Sequence, residues 1–139
     1  MVDCNRPSVI DSDRCDKHQV YAPKPKRVKL PKPELEKPIK ARIRAAVINA
    51  GCIAWIHDVD NRQMKTGLAE GCSDIICSVP PFGRFLAIEV KRPRLGVVSE
   101  AQRCFLAVVR RFGGVSGIAT SEAEALALVE EARQPVRAS

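Results

Sequence analysis

The sequence predicts an α/β fold with the element order αβββαβα and a mixed central sheet flanked by helices. Three observations predict it. Two stretches carry apolar residues at helical spacing, and a third opens on a helix-capping signal. Four short apolar runs lie between them. A Pro-Pro-Phe-Gly turn joins two of these runs, so that pair is a hairpin and the strand directions are mixed.

Order is expected from near Glu34. Ile39, Ile43, Val47 and Ile48 share a helical face, and Gly51 is a natural stop. This implies a helix of about 14–17 residues with its basic residues facing out. Cys52–His57 reads as a short strand containing Ile53, Trp55 and Ile56, and Asp58–Gly71 is polar and turn-rich. Asp74–Val79 and Phe85–Val90 are apolar runs on either side of Pro80-Pro81-Phe82-Gly83. Each is nearly apolar on both faces, so the sheet is expected to be covered on both sides. Pro93 ends the second run.

Ser99-Glu100-Ala101-Gln102 fits a capping box, in which serine and glutamine satisfy each other's free amides. Ala101, Phe105, Val108, Val109 and Phe112 form the apolar stripe of that helix, and Gly113-Gly114 stops it. Val115–Ala119 reads as the fourth strand. Ser121-Glu122-Ala123-Glu124 is a second capping box, opening a last helix to about Arg133.

The chain has 139 residues, enough for one domain. It is 45% hydrophobic and 28% charged, which is ordinary for a globular protein. No run approaches the ~18 apolar residues of a membrane span, and the first residues lack the pattern of a secretory signal. A cytoplasmic location is expected. The six cysteines show no CxxC pair and read as reduced thiols. Cys4, Cys15 and His18 match no zinc-ligand spacing.

Charge is unevenly placed. Residues 17–44 hold ten basic and two acidic residues, while the remainder is nearly neutral within a chain of net charge +7. Pro23, Pro25, Pro31 and Pro33 lie among these lysines, so helix and inner strand are excluded there. Residues 1–33 are expected to be a flexible basic arm whose natural partner is a polyanion, nucleic acid first. Residues 34–133 form the domain and 134–139 a tail. Aromatics are only 4%, which disfavours a base-stacking single-strand binder and favours backbone and shape recognition.

Three pieces carry chemistry. Glu89 and Lys91 stand at i and i+2 on one strand and emerge on the same face. If the preceding strand pairs with theirs, Asp74 can face the same place. Two adjacent carboxylates repel unless a divalent cation resolves the conflict, and oxygen ligation suits Mg²⁺ or Mn²⁺. Such a cation lowers the pKa of water, ~15.7 in bulk, and clamps a phosphate oxygen. A neighbouring lysine orients the water or offsets charge on phosphorus. Taken singly, each piece has a plainer reading. Same-face Glu and Lys are often a surface ion pair, Asp74 a turn residue and Gln102 a capping-box residue.

Taken in order, Gly71-Cys72-Ser73-Asp74, Phe85-Leu86-Ala87-Ile88-Glu89-Val90-Lys91, Ser99-Glu100-Ala101-Gln102 and Gly113-Gly114 resemble a VRR-Nuc domain. That is a branch of the PD-(D/E)XK nuclease superfamily, found in phage proteins and repair nucleases. The resemblance covers roughly residues 34–130 and implies a restriction-endonuclease-like αβββαβ core. It implies Asp74 and Glu89 as metal ligands with the Val90 carbonyl as a third, Lys91 as the catalytic lysine, and Gln102 as a supporting glutamine. It also implies a glutamate on the first helix, with Glu36 the better fit and Glu34 the competitor. Ser73 stands where the superfamily name has proline.

Stand-alone members of this branch resemble junction resolvases that act as two-fold dimers. The resemblance thus implies a Mg²⁺- or Mn²⁺-dependent endonuclease for branched DNA, a homodimer in a bacterial or phage-infected cell. No membrane and no small-molecule cofactor is expected. Arg92, Arg94, Arg103, Lys40 and Arg44 are candidate phosphate contacts, with Arg110 and Arg111 further along the second helix. The rival readings are a non-catalytic nucleic-acid-binding module that uses the arm, and a small scaffolding protein.

Overall fold

The computed structural model describes residues 31–57 and 70–136. Most of the expected arm, most of the turn-rich segment after His57, the last three residues, and Cys4, Cys15 and His18 lie outside the described residues. The described residues from Lys32 on form one compact unit.

The elements are α1 (Glu36–Asn49), β1 (Ile53–Ile56), β2 (Ile75–Val79), β3 (Arg84–Val90), α2 (Glu100–Arg111), β4 (Val115–Ala119) and α3 (Glu122–Arg133). The observed order is the expected αβββαβα. Pro38 falls in the first turn of α1, where its missing N–H costs nothing. Gly51, at φ +93°, carries the chain out of that helix in a conformation that favours glycine.

The sheet order is β1-β2-β3-β4. The first two pairs are antiparallel, and β3 pairs with β4 in parallel through the α2 crossover. This is a mixed sheet with helices against it, the α/β restriction-endonuclease-like arrangement.

One sheet face is fully covered. Ile39, Ile43 and Val47 of α1 and Val129 of α3 pack on Ile75 and Ile88 in a continuous aliphatic core. Each such side chain contributes about 1.5–3 kcal/mol by leaving water. The small residues Ala125 and Ala132 let α3 lie close to the sheet.

The other face corrects the expectation of cover on both sides. α2 packs on β3 and β4, shielding Ala87 and Glu89, whereas Ile53 and Trp55 of β1 stay more than half exposed. One helix spans only half of a four-stranded sheet. The α2 stripe is corrected for the same reason. Val109 is buried, but Phe112 is 83% exposed and Val108 nearly half exposed, because no further helix or strand among the described residues packs over them.

Both capping serines form their bonds, but only the first box closes. Ser99 accepts from the Gln102 amide, and Ser99 N donates to Gln102 Oε1. Ser121 accepts from Glu124 N, yet the Glu124 carboxylate turns to the amide and hydroxyl of Thr120 instead. Thr120 offers two donors there, against the single Ser121 amide.

Candidate metal centre

The β2–β3 register pairs Ile75 with Ile88. Continued by one residue, it sets Asp74 across from Glu89. The β1–β2 register pairs Ile56 with Ile75, and the His57 amide donates to the Asp74 carbonyl at 2.8 Å. His57, Asp74 and Glu89 therefore form one row across three strands, on the face that α2 half covers.

Each member of the row is held from a different element. Asp74 Oδ2 accepts from the Val90 amide at 2.9 Å. Its Oδ1 meets Lys40 Nζ, from α1, at 2.8 Å. Glu89 is 1% exposed. Its Oε1 accepts from Gln102 Nε2 at 2.5 Å and meets Lys91 Nζ at 2.8 Å. Its Oε2 is buried without a hydrogen-bond partner.

Gln102 thus acts twice through one amide. Its oxygen closes the capping box and its nitrogen reaches the Glu89 carboxylate. The cap fixes where α2 begins, and the start of α2 fixes where that nitrogen points.

The electrostatics follow from burial. Loss of water pushes the Glu89 carboxyl up to about 7, and the negative charge of Asp74 adds to the rise against the Lys91 bond. Burial works against the Lys91 charge. The Glu89 bond and the charges of Glu89, Glu36 and Asp74 outweigh it, and the lysine pKa is raised. Cys72 sits beside the row, and burial raises its thiol pKa as well.

A buried carboxylate facing another, with one oxygen unsatisfied, fits a hard divalent cation. Asp74 and Glu89 would be its side-chain donors. Among the described residues, no group of three His, Cys, Asp or Glu side chains is close enough to share a metal ion. Glu36 does not complete such a triad and reaches the site through its field on Lys91. Glu34 is engaged elsewhere, with the Arg42 guanidinium on the surface.

A family model for the VRR-NUC domain matches residues 9–123. The chain belongs to the VRR-NUC domain family. VRR-NUC domains are generally nucleases, and the match begins well inside the segment expected as an arm. One solved structure, titled a VRR_NUC domain protein, aligns with 14% identity over 68% of this chain and 87% of its own, at a TM-score of 0.49. No curated protein matches.

In this VRR-NUC domain, the structure brings Asp74, Glu89, Lys91 and Gln102 together. Val90 lies between Glu89 and Lys91 at the end of β3. Lys40 was expected on an outward basic face and instead turns inward to Asp74, with a side chain only 14% exposed. One turn of α1 separates it from the buried Ile43, so it lies at the edge of the core stripe. Arg44 and Arg94 are exposed and Arg92 is half-buried. Arg103 donates to the Val98 carbonyl at 3.2 Å, bracing the loop after Lys91.

Two glycines of this VRR-NUC domain set the geometry. A Cβ on Gly71 would lie 2.4 Å from the Ala101 backbone, so only glycine lets the Asp74 segment rest on the first turn of α2. A Cβ on Gly96 would lie 2.5 Å from Lys91 Cβ, so the loop closes over the lysine stem. The Gly96 contact, the inward Lys40 and the place of His57 all escape a reading of the sequence. Each depends on which strand neighbours which. His57 Nδ1 is buried without a partner, like Glu89 Oε2 in the same row.

Proposed function

We propose that this chain is a Mg²⁺- or Mn²⁺-dependent endodeoxyribonuclease acting on branched DNA, in the manner of a Holliday junction resolvase working as a homodimer. One observation supports it above the rest. Asp74 and Glu89 face each other at adjoining strand ends with Lys91 on Glu89, and Glu89 Oε2 is buried without a partner. Asp74, Glu89 and the Val90 carbonyl would hold the cation. When bound, it supplies Lewis-acid activation of water and of the phosphodiester.

The chain's own groups do the rest. Gln102 anchors Glu89 by Oε1 and leaves Oε2 without a hydrogen bond, the oxygen that would be available to a cation. The Val90 amide anchors Asp74 by Oδ2. Lys91, kept protonated by its carboxylate neighbours, offsets negative charge that builds on the phosphate during attack. Arg44, Arg92, Arg94 and Arg103 would hold phosphates on either side of the cut. A four-way junction is nearly two-fold symmetric, so two copies of the site would make paired nicks.

The test is cleavage of labelled four-way, flap and linear DNA with and without Mn²⁺. Metal-dependent cutting of branched over linear DNA is expected, with loss in Lys91→Ala. If the wild type cuts nothing, or Lys91→Ala cuts equally well, the enzyme reading fails. Salt-sensitive retention of junctions without cleavage would leave a binding module.

A further inference from the structure

Strand alternation places Ile53 and Trp55 of β1, with Ile76 and Ser78 of β2, on the same sheet face as Asp74 and Glu89. On this face α2 packs on β3 and β4 and does not pack substantially on β1 or β2, whereas α1 and α3 reach those strands from the opposite face. Trp55 is 56% exposed there. An indole left in water beside a candidate site is a contact group without its contact.

The position of Trp55 selects the occupant. It pairs with Ile76, two residues before the His57–Asp74 pair. Two residues along a strand are about 6.6 Å and one strand across about 4.8 Å, so the Trp55 backbone lies roughly 8 Å from that of Asp74. A nucleic-acid strand with a phosphodiester between Asp74 and Glu89 passes the indole within the next nucleotide or two. In duplex DNA the base faces there are closed by stacking, whereas an unpaired base presents a free π-face. The exposed Arg94 suits the polyanion that brings such a base.

We infer that Trp55 is a stacking platform for an unpaired nucleobase next to the scissile phosphate. The substrate therefore has single-stranded character at the cut, as a flap or a splayed junction arm does. This rests on the nuclease reading for the nature of the ligand and narrows its substrate class. The low count of aromatics argued against base stacking, but one indole on the open shelf beside the site is enough.

Trp55 is the only tryptophan, so its emission reports on this shelf without a label. The full chain in EDTA, where nothing is cut, is titrated with a fluorescein-labelled dT oligonucleotide and with a blunt duplex. Single strands are expected to quench the emission and the duplex to bind without quenching. By anisotropy, Trp55→Ala is expected to bind the single strand about ten-fold more weakly and the duplex unchanged, with Trp55→Phe close to wild type.

Emission that stays constant while anisotropy shows the single strand bound would overturn the inference. So would equal affinity of Trp55→Ala, or no binding of single strands at low salt. Emission that follows protein concentration and ignores DNA would assign the shelf to a second copy of the chain and overturn it too. The two readings fail separately. Mn²⁺-dependent cleavage of linear duplex with silent emission removes the platform alone. Quenching without cleavage under either metal removes the nuclease and keeps the platform.

Discussion

Gln102 holds Glu89 and caps its own helix with the same amide group. A local helix signal and a long-range contact with the site therefore meet in one side chain. Neither could shift without the other, because the amide plane is rigid.

Ser99 and Gln102 can be separated by substitution. Ser99→Ala removes the cap alone and is expected to cost about 1 kcal/mol of stability with cleavage retained. Gln102→Ala should cost at least as much and also lower cleavage, since Glu89 loses its anchor. Urea unfolding and single-turnover cleavage read the two effects. Wild-type turnover in Gln102→Ala would reduce the glutamine to a cap.

Glu89 makes the metal-free fold sensitive to pH. Its folded pKa of about 7 lies above the ordinary value of 4.5 because burial disfavours the charge. The folded chain thus holds the proton more tightly than the unfolded one. That stabilisation is complete below about pH 4.5 and is lost as pH rises through about 7, on the order of 2–3 kcal/mol. Urea midpoints in EDTA should fall across this range, and Glu89→Gln should flatten the curve.

Divalent cation should reverse that loss. At a hundred times its dissociation constant, a cation bound only by the folded state adds about 2.7 kcal/mol. Mn²⁺ is therefore expected to raise the melting temperature of the wild type near neutral pH, and more so as pH rises, since binding displaces the Glu89 proton. Asp74→Asn and Glu89→Gln should show no rise. A rise as large in both variants as in the wild type would place the cation elsewhere.

The two glycines should fail differently. Gly71→Ala presses a methyl group on the Ala101 backbone from a φ of +79°, and a loss of about 2–3 kcal/mol is expected on urea unfolding. Gly96→Ala presses on Lys91 Cβ, which is fixed to its backbone, so the exposed loop has to shift away from the lysine while the core is untouched. Its fold should hold, while cleavage drops by about a hundredfold as the lysine leaves Glu89. A stable Gly96→Ala with full activity would show that the loop does not set the lysine.

How much was legible depended on range. The α1 face of Ile39, Ile43 and Val47, the hairpin at Pro80-Pro81-Phe82-Gly83 and the Ser99 cap are local patterns that stand in the structure, while Ile48, expected on the same face, is 42% exposed because it lies beside the stripe that meets the sheet. Lys40 was misjudged because a helical period shows which face is apolar but not what a flanking residue meets. The α2 stripe was misjudged because apolar spacing promises burial only where another element arrives.

By itself the sequence determined the element order, the Ser99 capping box and the shared face of Glu89 and Lys91, since each is set by backbone periodicity within a few residues. Only the tertiary structure decided that Asp74 lies across from Glu89, that His57 joins their row, and that Trp55 on the same sheet face stays more than half exposed. Those relations come from strand order and register, which bring together residues distant along the chain. A shift of one residue between β2 and β3 would turn the acids to opposite faces, and one between β1 and β2 would take His57 out of their row.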